Sequence, residues 1–332
     1  LKIVYTPIHG SGYVPVTTIL KKIGIKPVLV ESQVNPDPNF STVEVPNPEF
    51  KETLSQGIAL ANKVKADVVF GTDPDCDRLG VAIRNNEGEF EALTGNQTGI
   101  LLLDYILLRL KAEGKLPKNG IVVKSFVSTD MAKSICDNYG VELVETPVGF
   151  KFIGEKIKEC EESGEKEFIF GFEESYGYLS GDHVRDKDAV NASLLICQMA
   201  QDYKLRGMNL AQAMRALYEK HGWWLNRTVS VSFPGAAGAE TMRGIMAKLR
   251  EQAPNELAGR AVEAVVDYEG GVNGLPSANV VEFDVEGGNK VIVRPSGTEP
   301  KIKLYVFAKD ADRAAADALL DALEAAGREL LK

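Results

Sequence analysis

Through the first two thirds of the chain, short apolar runs alternate with stretches of helical periodicity, and no other feature constrains the fold so strongly. "KIVY" is followed by the helical "VPVTTILKKIG", ending at Gly24, and then by "KPVLVE". After the Pro- and Asn-rich loop "NPDPNFSTVEVPNPEF" come the helical "FKETLSQGIALANKVK" and the strand-like "ADVVFG". Strands separated by helices return to their sheet in parallel, so the alternation predicts an α/β fold with parallel or mixed sheets. "LGVAIRN" and "EFEAL" read as a hairpin around "NEGE", and "TGNQTGILLLDYILLRLK" as a buried helix.

"AEGKLPKNG" reads as a linker, after which the rhythm restarts. "IVVKSF", a helix at "STDMAKSICDNYG", "VELVET", the loop "PVGF", the helix "KFIGEKIKECEESG", "EFIFGFE" and a helix over "DAVNASLLICQMAQDYKLRG" follow in turn. In both rounds a strand runs into an acidic loop. Beyond "HGWWLNRTVSVSFPG" the texture changes to clustered strands, "AVVDYE", "NVVEFDV", "KVIVRP" and "KLYVFAK", with an Ala-rich helix from about Asp312 to Leu331. The predicted fold is α/β: two similar α/β domains with mixed sheets, over 1–112 and 113–222, followed by a smaller C-terminal α+β domain over 223–332. The chain opens in a strand-like run without an initiating Met, so a fragment is the expectation.

The formal net charge of −9 argues against a general nucleic-acid binder, which needs a basic surface. The apolar stretch "GILLLDYILLRL" is broken by Asp104 and Arg109 and is too short to span a bilayer. Cys76, Cys136, Cys160 and Cys197 form no C-x-x-C pair, so neither a zinc ribbon nor a dithiol redox site is indicated. Few cysteines in a long chain fit a reducing, cytoplasmic location.

"GTDPDCDRLG", directly after the apolar "ADVVF", sets Asp73, Asp75 and Asp77 at alternate positions with Arg78 next. In an extended loop this spacing lets three carboxylates converge, and convergence needs a cation to offset the repulsion. Hard oxygens suit Mg2+ or Ca2+. An EF-hand requires Gly at the sixth position and Glu at the twelfth, but counting from Asp73 these are Arg78 and Arg84. Two close aspartates with Mg2+ also suit a phosphatase with an Asp nucleophile, and a solvated Asp-Pro-Asp turn needs no ion. The carboxyl ends of strands are where open α/β sheets collect ligands. That position favours a Mg2+ site in a phosphoryl-transfer enzyme.

"VIVRPSGTEPKIKLYV" carries Arg294, Ser296, Gly297, Thr298, Lys301 and Lys303 around a turn. Arg offers phosphate a bidentate fork, hydroxyls add donors, and Gly lets backbone N–H groups approach an anion. The P-loop pattern G-x-x-x-x-G-K-[ST] is absent, and a polar hairpin turn alone would also explain "PSGTEP". "GFEESYGYLSGDHVRDKDA" sets Glu173, Glu174 and Ser175 after a strand, where carboxylates could accept hydrogen bonds from a sugar diol. Its Arg185 and Lys187 could equally be ion-pair partners.

In this order, "DPDCDR", "TPVGFKFIG", "GFEESYG" and "RPSGTEPK" resemble the metal, orientation, sugar and phosphate loops of the α-D-phosphohexomutase family, and the resemblance runs over essentially the whole chain. "YTPIHGSGY" and "GFEESYGYL" are most similar to its bacterial phosphoglucomutase branch. The family has four domains, and the resemblance covers the second to the fourth. The first carries a catalytic serine in a T-A-S-H-N-P-type loop, a string that does not occur here. Ser11, in "HGSGY", lacks the His-Asn-Pro neighbours and reads as a turn residue. The resemblance implies hexose phosphates as partners: glucose 1-phosphate, glucose 6-phosphate and glucose 1,6-bisphosphate. It implies Mg2+ as cofactor and a phosphoserine domain in cis, with no nucleic acid and no membrane.

It also implies roles. Mg2+ on Asp73, Asp75 and Asp77 would polarise the transferring phosphoryl group, and Arg78 would stabilise its charge. Arg294, Ser296, Gly297, Thr298 and Lys303 would hold the non-reacting phosphate. Val148 and Gly149 would tell the two sugar orientations apart, while Glu173, Glu174 and Ser175 would grip ring hydroxyls. Lys187 is the candidate base and His183 a weaker one; His9 and His221 read as packing or capping residues. Phe172 and Val148 depart from the Gly and Thr common in the family, so glucose, mannose, glucosamine and pentose phosphates all stay open. The chain by itself is expected to turn over little or no substrate.

Overall fold

The apolar runs of the first round pair into a five-stranded mixed sheet. Strands β1 (Ile3–Thr6), β2 (Val28–Leu29) and β3 (Val68–Thr72) are parallel, and β4 (Leu79–Arg84) and β5 (Phe90–Ala92) are added antiparallel, in the order β2-β1-β3-β4-β5. The second round repeats the plan. Strands β6 (Gly120–Ser125), β7 (Glu142–Thr146) and β8 (Glu167–Glu173) are parallel and β9 (Gly177–Ser180) is antiparallel, in the order β7-β6-β8-β9. In each sheet the first strand lies between the second and third, and a hairpin returns from the third. The shared sequence rhythm thus encodes a shared strand order. Every residue of β3 and of β6 is buried. Such strands read as continuous apolar runs because both faces of the sheet are covered.

The computed structural model describes all residues except Ala236, Asn273 and Thr298. Helices α1 (Tyr13–Lys22), α2 (Ser55–Val64), α3 (Gly95–Ala112), α4 (Met131–Tyr139), α5 (Phe150–Ser163) and α6 (Ala189–Leu205) accompany the two mixed sheets, and α7 (Leu210–His221) follows them. Their starts are written locally. Thr94 and Gln97 form a reciprocal capping box at α3, with bonds of 3.1 and 2.9 Å. Asp188 accepts the first N–H groups of α6. Among the described residues no helix is long and apolar enough to cross a membrane.

By its internal contacts the chain divides into Leu1–Leu217, which holds both mixed sheets, and Tyr218–Lys332. The second unit is a six-stranded antiparallel sheet with helices α8 (Gly238–Glu251) and α9 (Arg313–Leu330). Its strands are β10 (Trp223–Ser232), β11 (Glu256–Leu257), β12 (Arg260–Asp267), β13 (Val281–Val285), β14 (Asn289–Pro295) and β15 (Lys301–Asp310), ordered β10-β15-β14-β13-β12-β11. Alternate residues, among them Phe283, Val293 and Leu304, pack with Met246 of α8 and Leu320 and Leu323 of α9. This is one helix-covered face of an antiparallel sheet.

The elements depart from the sequence reading in particular places. "KPVLVE" contributes two strand residues only, and Lys51–Leu54 is a 3-10 turn ahead of α2. Strand β9 gives no signal in the sequence, because four residues beginning with a glycine are too few to show a period. Strand β10 is half-buried to exposed along most of its length and mixes Asn, Arg and Ser with apolar residues, so it lacks a clean alternation.

Candidate active site

The acidic turn is the hairpin connection between β3 and β4. Thr72 pairs with Leu79 at its base, and the Cys76 N–H donates to the Asp73 carbonyl at 3.0 Å. Cys76 sits in the left-handed region at φ 62°. The turn wraps around Asp73, whose Oδ1 accepts the backbone N–H groups of Asp77 at 3.0 Å and Arg78 at 2.8 Å. One carboxylate oxygen each of Asp73, Asp75 and Asp77 lies within 4.8 Å of the others. The predicted convergence is present.

Burial pushes the Asp73 carboxyl up to about 7, against the Arg78 N–H bond and with the help of the neighbouring Asp77 and Asp75 charges. A dication would relieve the like-charge repulsion, and three hard oxygens on a short turn are a fitting donor set for Mg2+. Burial also pushes the Cys76 thiol up to about 12, which leaves it a packing group and not a nucleophile.

Two cations border the turn. Arg78 pairs through Nη1 with Glu49, while its Nε stays 3.7 Å from Asp77 Oδ1 and 3.9 Å from Asp73 Oδ2. Lys187 Nζ lies 2.9 Å from Asp77 Oδ2 and 3.0 Å from Asp186 Oδ1. Burial disfavours the Lys187 cation, but these two carboxylates outweigh it and hold its pKa above the usual lysine value. As it stands Lys187 is a proton donor. His183 is half exposed and bound to Asp188, away from the triad's contacts. Ser11 hydrogen-bonds the Pro74 carbonyl through both N–H and Oγ, so it supports the acidic turn as a turn residue.

The equivalent hairpin of the second sheet, between β8 and β9, meets this turn. Arg78 forms an isolated bridge with Gly177, and the Leu79 N–H donates to the Tyr176 carbonyl at 3.0 Å. The repeat therefore places its two acidic turns side by side. Glu173 is buried, and its Oε1 accepts the Gly149 N–H at 2.7 Å. Burial raises its pKa, and the Gly149 bond opposes that rise. Gly149, at φ 121°, is in a region that L side chains rarely adopt. The orientation and sugar loops are thus tied to each other, with Val148 and Ser175 half-buried beside them. Glu174 turns instead toward β6, where its Oε2 accepts from Ser125 Oγ at 3.1 Å. Phe172 is fully buried and stacks on Phe170, so it is a core residue.

The remaining motif lies in the second unit. Arg294 of β14 stands opposite Lys303 of β15. Among the described residues neither side chain has an ion-pair or hydrogen-bond partner. Like charges directly opposite destabilise a sheet, and an anion between them removes that cost. Ser296 closes the turn by donating its N–H to the Lys301 carbonyl at 2.8 Å, and Gly297 is exposed. Thr298 lies outside the described residues.

Two functional-looking residues escaped the sequence reading. Glu49 had no local signal, since its partner is far along the chain. Lys124 had one: a lysine inside the apolar strand "IVVKSF" cannot be solvated. It is fully buried and donates to Glu145 at 2.7 Å, and to Asp130 and the Ser128 carbonyl at 3.0 Å. These bonds brace the loop whose Ser125 and Ser128 hold Glu174.

A duplicated α/β sheet, an acidic turn at the strand ends whose three carboxylates could hold an ion, and an antiparallel companion domain define a multidomain α/β protein. The chain belongs to the phosphoglucomutase/phosphomannomutase family. The family's α/β/α domain II matches residues 1–88, its α/β/α domain III residues 94–221 and its C-terminal domain residues 242–324. A phosphoglucomutase of Staphylococcus epidermidis is 39% identical over 318 residues, covering 92% of this chain and 57% of that protein. One from Staphylococcus aureus is 38% identical over 322 residues, covering 93% and 57%. The chain therefore spans somewhat over half the length of these relatives. The exocytosis-sensitive phosphoprotein parafusin of Paramecium shares the fold, with a TM-score of 0.72 at 19% identity over 100% of this chain and 57% of that one.

Proposed function

We propose that this chain carries the metal, sugar and phosphate loops of a phosphoglucomutase-type intramolecular phosphotransferase. Its units would be the second to fourth domains, over 1–112, 113–222 and 223–332. The convergence of Asp73, Asp75 and Asp77 beside Arg78, Lys187 and the Glu173 turn carries this reading. In the reaction, a phosphoserine of a further domain gives its phosphoryl group to the free hydroxyl of a hexose monophosphate. The bisphosphate reorients, and its other phosphoryl group returns to the serine, interconverting hexose 1-phosphate and hexose 6-phosphate. A phosphomannomutase or phosphopentomutase preference would use the same loops.

Bound at the three aspartates, Mg2+ would supply Lewis-acid polarisation of a phosphoryl oxygen. Arg78 would place guanidinium charge beside the transferring group. Lys187 would hold a proton at Nζ, and would accept one from the hydroxyl only when Asp77 no longer binds it. Glu173 and Ser175 would take ring hydroxyls, and Val148 and Gly149 would border the sugar. Arg294, Ser296, Gly297, Thr298 and Lys303 would take the non-reacting phosphate.

Calorimetry of this chain with glucose 6-phosphate tests the phosphate turn. Arg294→Ala is expected to weaken binding at least ~10-fold, the loss of one charge-assisted contact. Heats indistinguishable from those of the wild type would reject an anion site there.

A further inference from the structure

We propose that Glu49 is a positioning residue that holds the Arg78 guanidinium back from the carboxylates of the acidic turn, so that Arg78 does not join Lys187 as a close counter-ion that a divalent cation must displace. The inference rests on the metal site proposed above. Arg78 makes its closest ionic contact with Glu49, and its Nε stands back at 3.7 and 3.9 Å from the two ligand carboxylates. An arginine without that contact would close on Asp73 and Asp77 as a built-in counter-ion. A dication would then have to displace it as well as Lys187, which already bonds Asp77 Oδ2.

Glu49 is held independently of Arg78. It lies in the long segment between β2 and α2, which is pinned at several points. Buried His9 bonds the Asn35 carbonyl and Thr42 Oγ1, both at 2.8 Å. Fully buried Gln33 donates to Thr42 Oγ1 at 3.0 Å and accepts from Thr6 Oγ1 at 2.6 Å. Thr53 Oγ1 donates to the carbonyls of Val45 at 2.9 Å and Asn47 at 3.0 Å. Pro48 lies against Gly80 of β4, and the Glu49 N–H donates to Asn47 Oδ1 at 2.9 Å. A segment fixed this firmly can present a carboxylate to Arg78 before any ion arrives.

The test is Mn2+ titration of this chain, followed by the paramagnetic resonance of the free ion. Glu49→Gln is expected to weaken Mn2+ binding ~10-fold, the size of effect that groups orienting metal ligands produce. In an Arg78→Ala background the same change is expected to have no effect, because the two residues act as a unit. An equal loss in both backgrounds would mean that Glu49 acts only as a nearby negative charge, and would overturn the proposal. Wild-type affinity in Glu49→Gln would overturn it too. Glu49→Asp keeps the charge but withdraws it by a methylene; it is expected to weaken binding several-fold, and wild-type affinity there would count against the contact. Circular dichroism checks that each variant is folded. Absence of saturable binding in the wild type would sink the metal site itself, and this inference with it.

Discussion

Asp75→Asn is expected to lower the affinity of this chain for Mn2+ by at least ~100-fold, more than loss of an outer-shell partner costs. Asp75 is the exposed member of the triad, so its carboxylate serves no packing role. Its removal also relieves repulsion on Asp73, whose charge it opposes. Thermal stability without metal should therefore be unchanged or slightly higher, within the ~0.5 kcal/mol usual for surface substitutions. A folded variant that binds Mn2+ like the wild type would show that the triad is a solvated turn. In a protein that joins this chain to a phosphoserine domain, the same substitution is expected to abolish hexose phosphate interconversion.

Gly95→Ala is expected to destabilise the first unit by about 3 kcal/mol, the upper range for overpacking. Gly95 opens α3 directly after the Thr94 cap. A Cβ there would lie 1.9 Å from the Glu174 carbonyl oxygen and 2.9 Å from the Tyr176 nitrogen. Both are backbone atoms of the sugar turn and cannot swing aside as a side chain would. That turn is fixed in addition by Tyr178, whose hydroxyl donates to the Gly95 carbonyl at 3.2 Å. Gly244→Ala in α8 is the control. Nothing lies within 4 Å of its added Cβ, and alanine favours a helix over glycine by ~0.5–1 kcal/mol. Urea unfolding measures both. Equal stability of Gly95→Ala and wild type would mean that α3 is not packed on the sugar turn as described.

What the sequence showed and what it hid divide along physical lines. Alternating apolar runs and helices announce parallel pairing because the connection dictates it, and both mixed sheets follow. The spacing of Asp73, Asp75 and Asp77 survives into space because a short hairpin turn has little freedom. Lys187 stands out by its place in "GDHVRDKD", but its contact with Asp77 and the protonation that Asp77 and Asp186 impose on it are nothing that spacing reveals. Glu174 and Phe172 sit inside one motif yet face the β6 loop and the core, because Phe172 still belongs to β8 while Glu174 lies past its end, in the turn. Glu49 was invisible, since a loop brings it to Arg78 across 29 positions. The bridge between the two acidic turns was hidden for a similar reason: it joins two domains that sequence periodicity treats one at a time.

Crystals of this chain soaked in Mn2+ and measured at the manganese absorption edge address the metal site without any assay. One anomalous peak bonded to oxygens of Asp73, Asp75 and Asp77 is the expected result. Strong ordered density for those side chains, with no peak among them at saturating Mn2+, would contradict it.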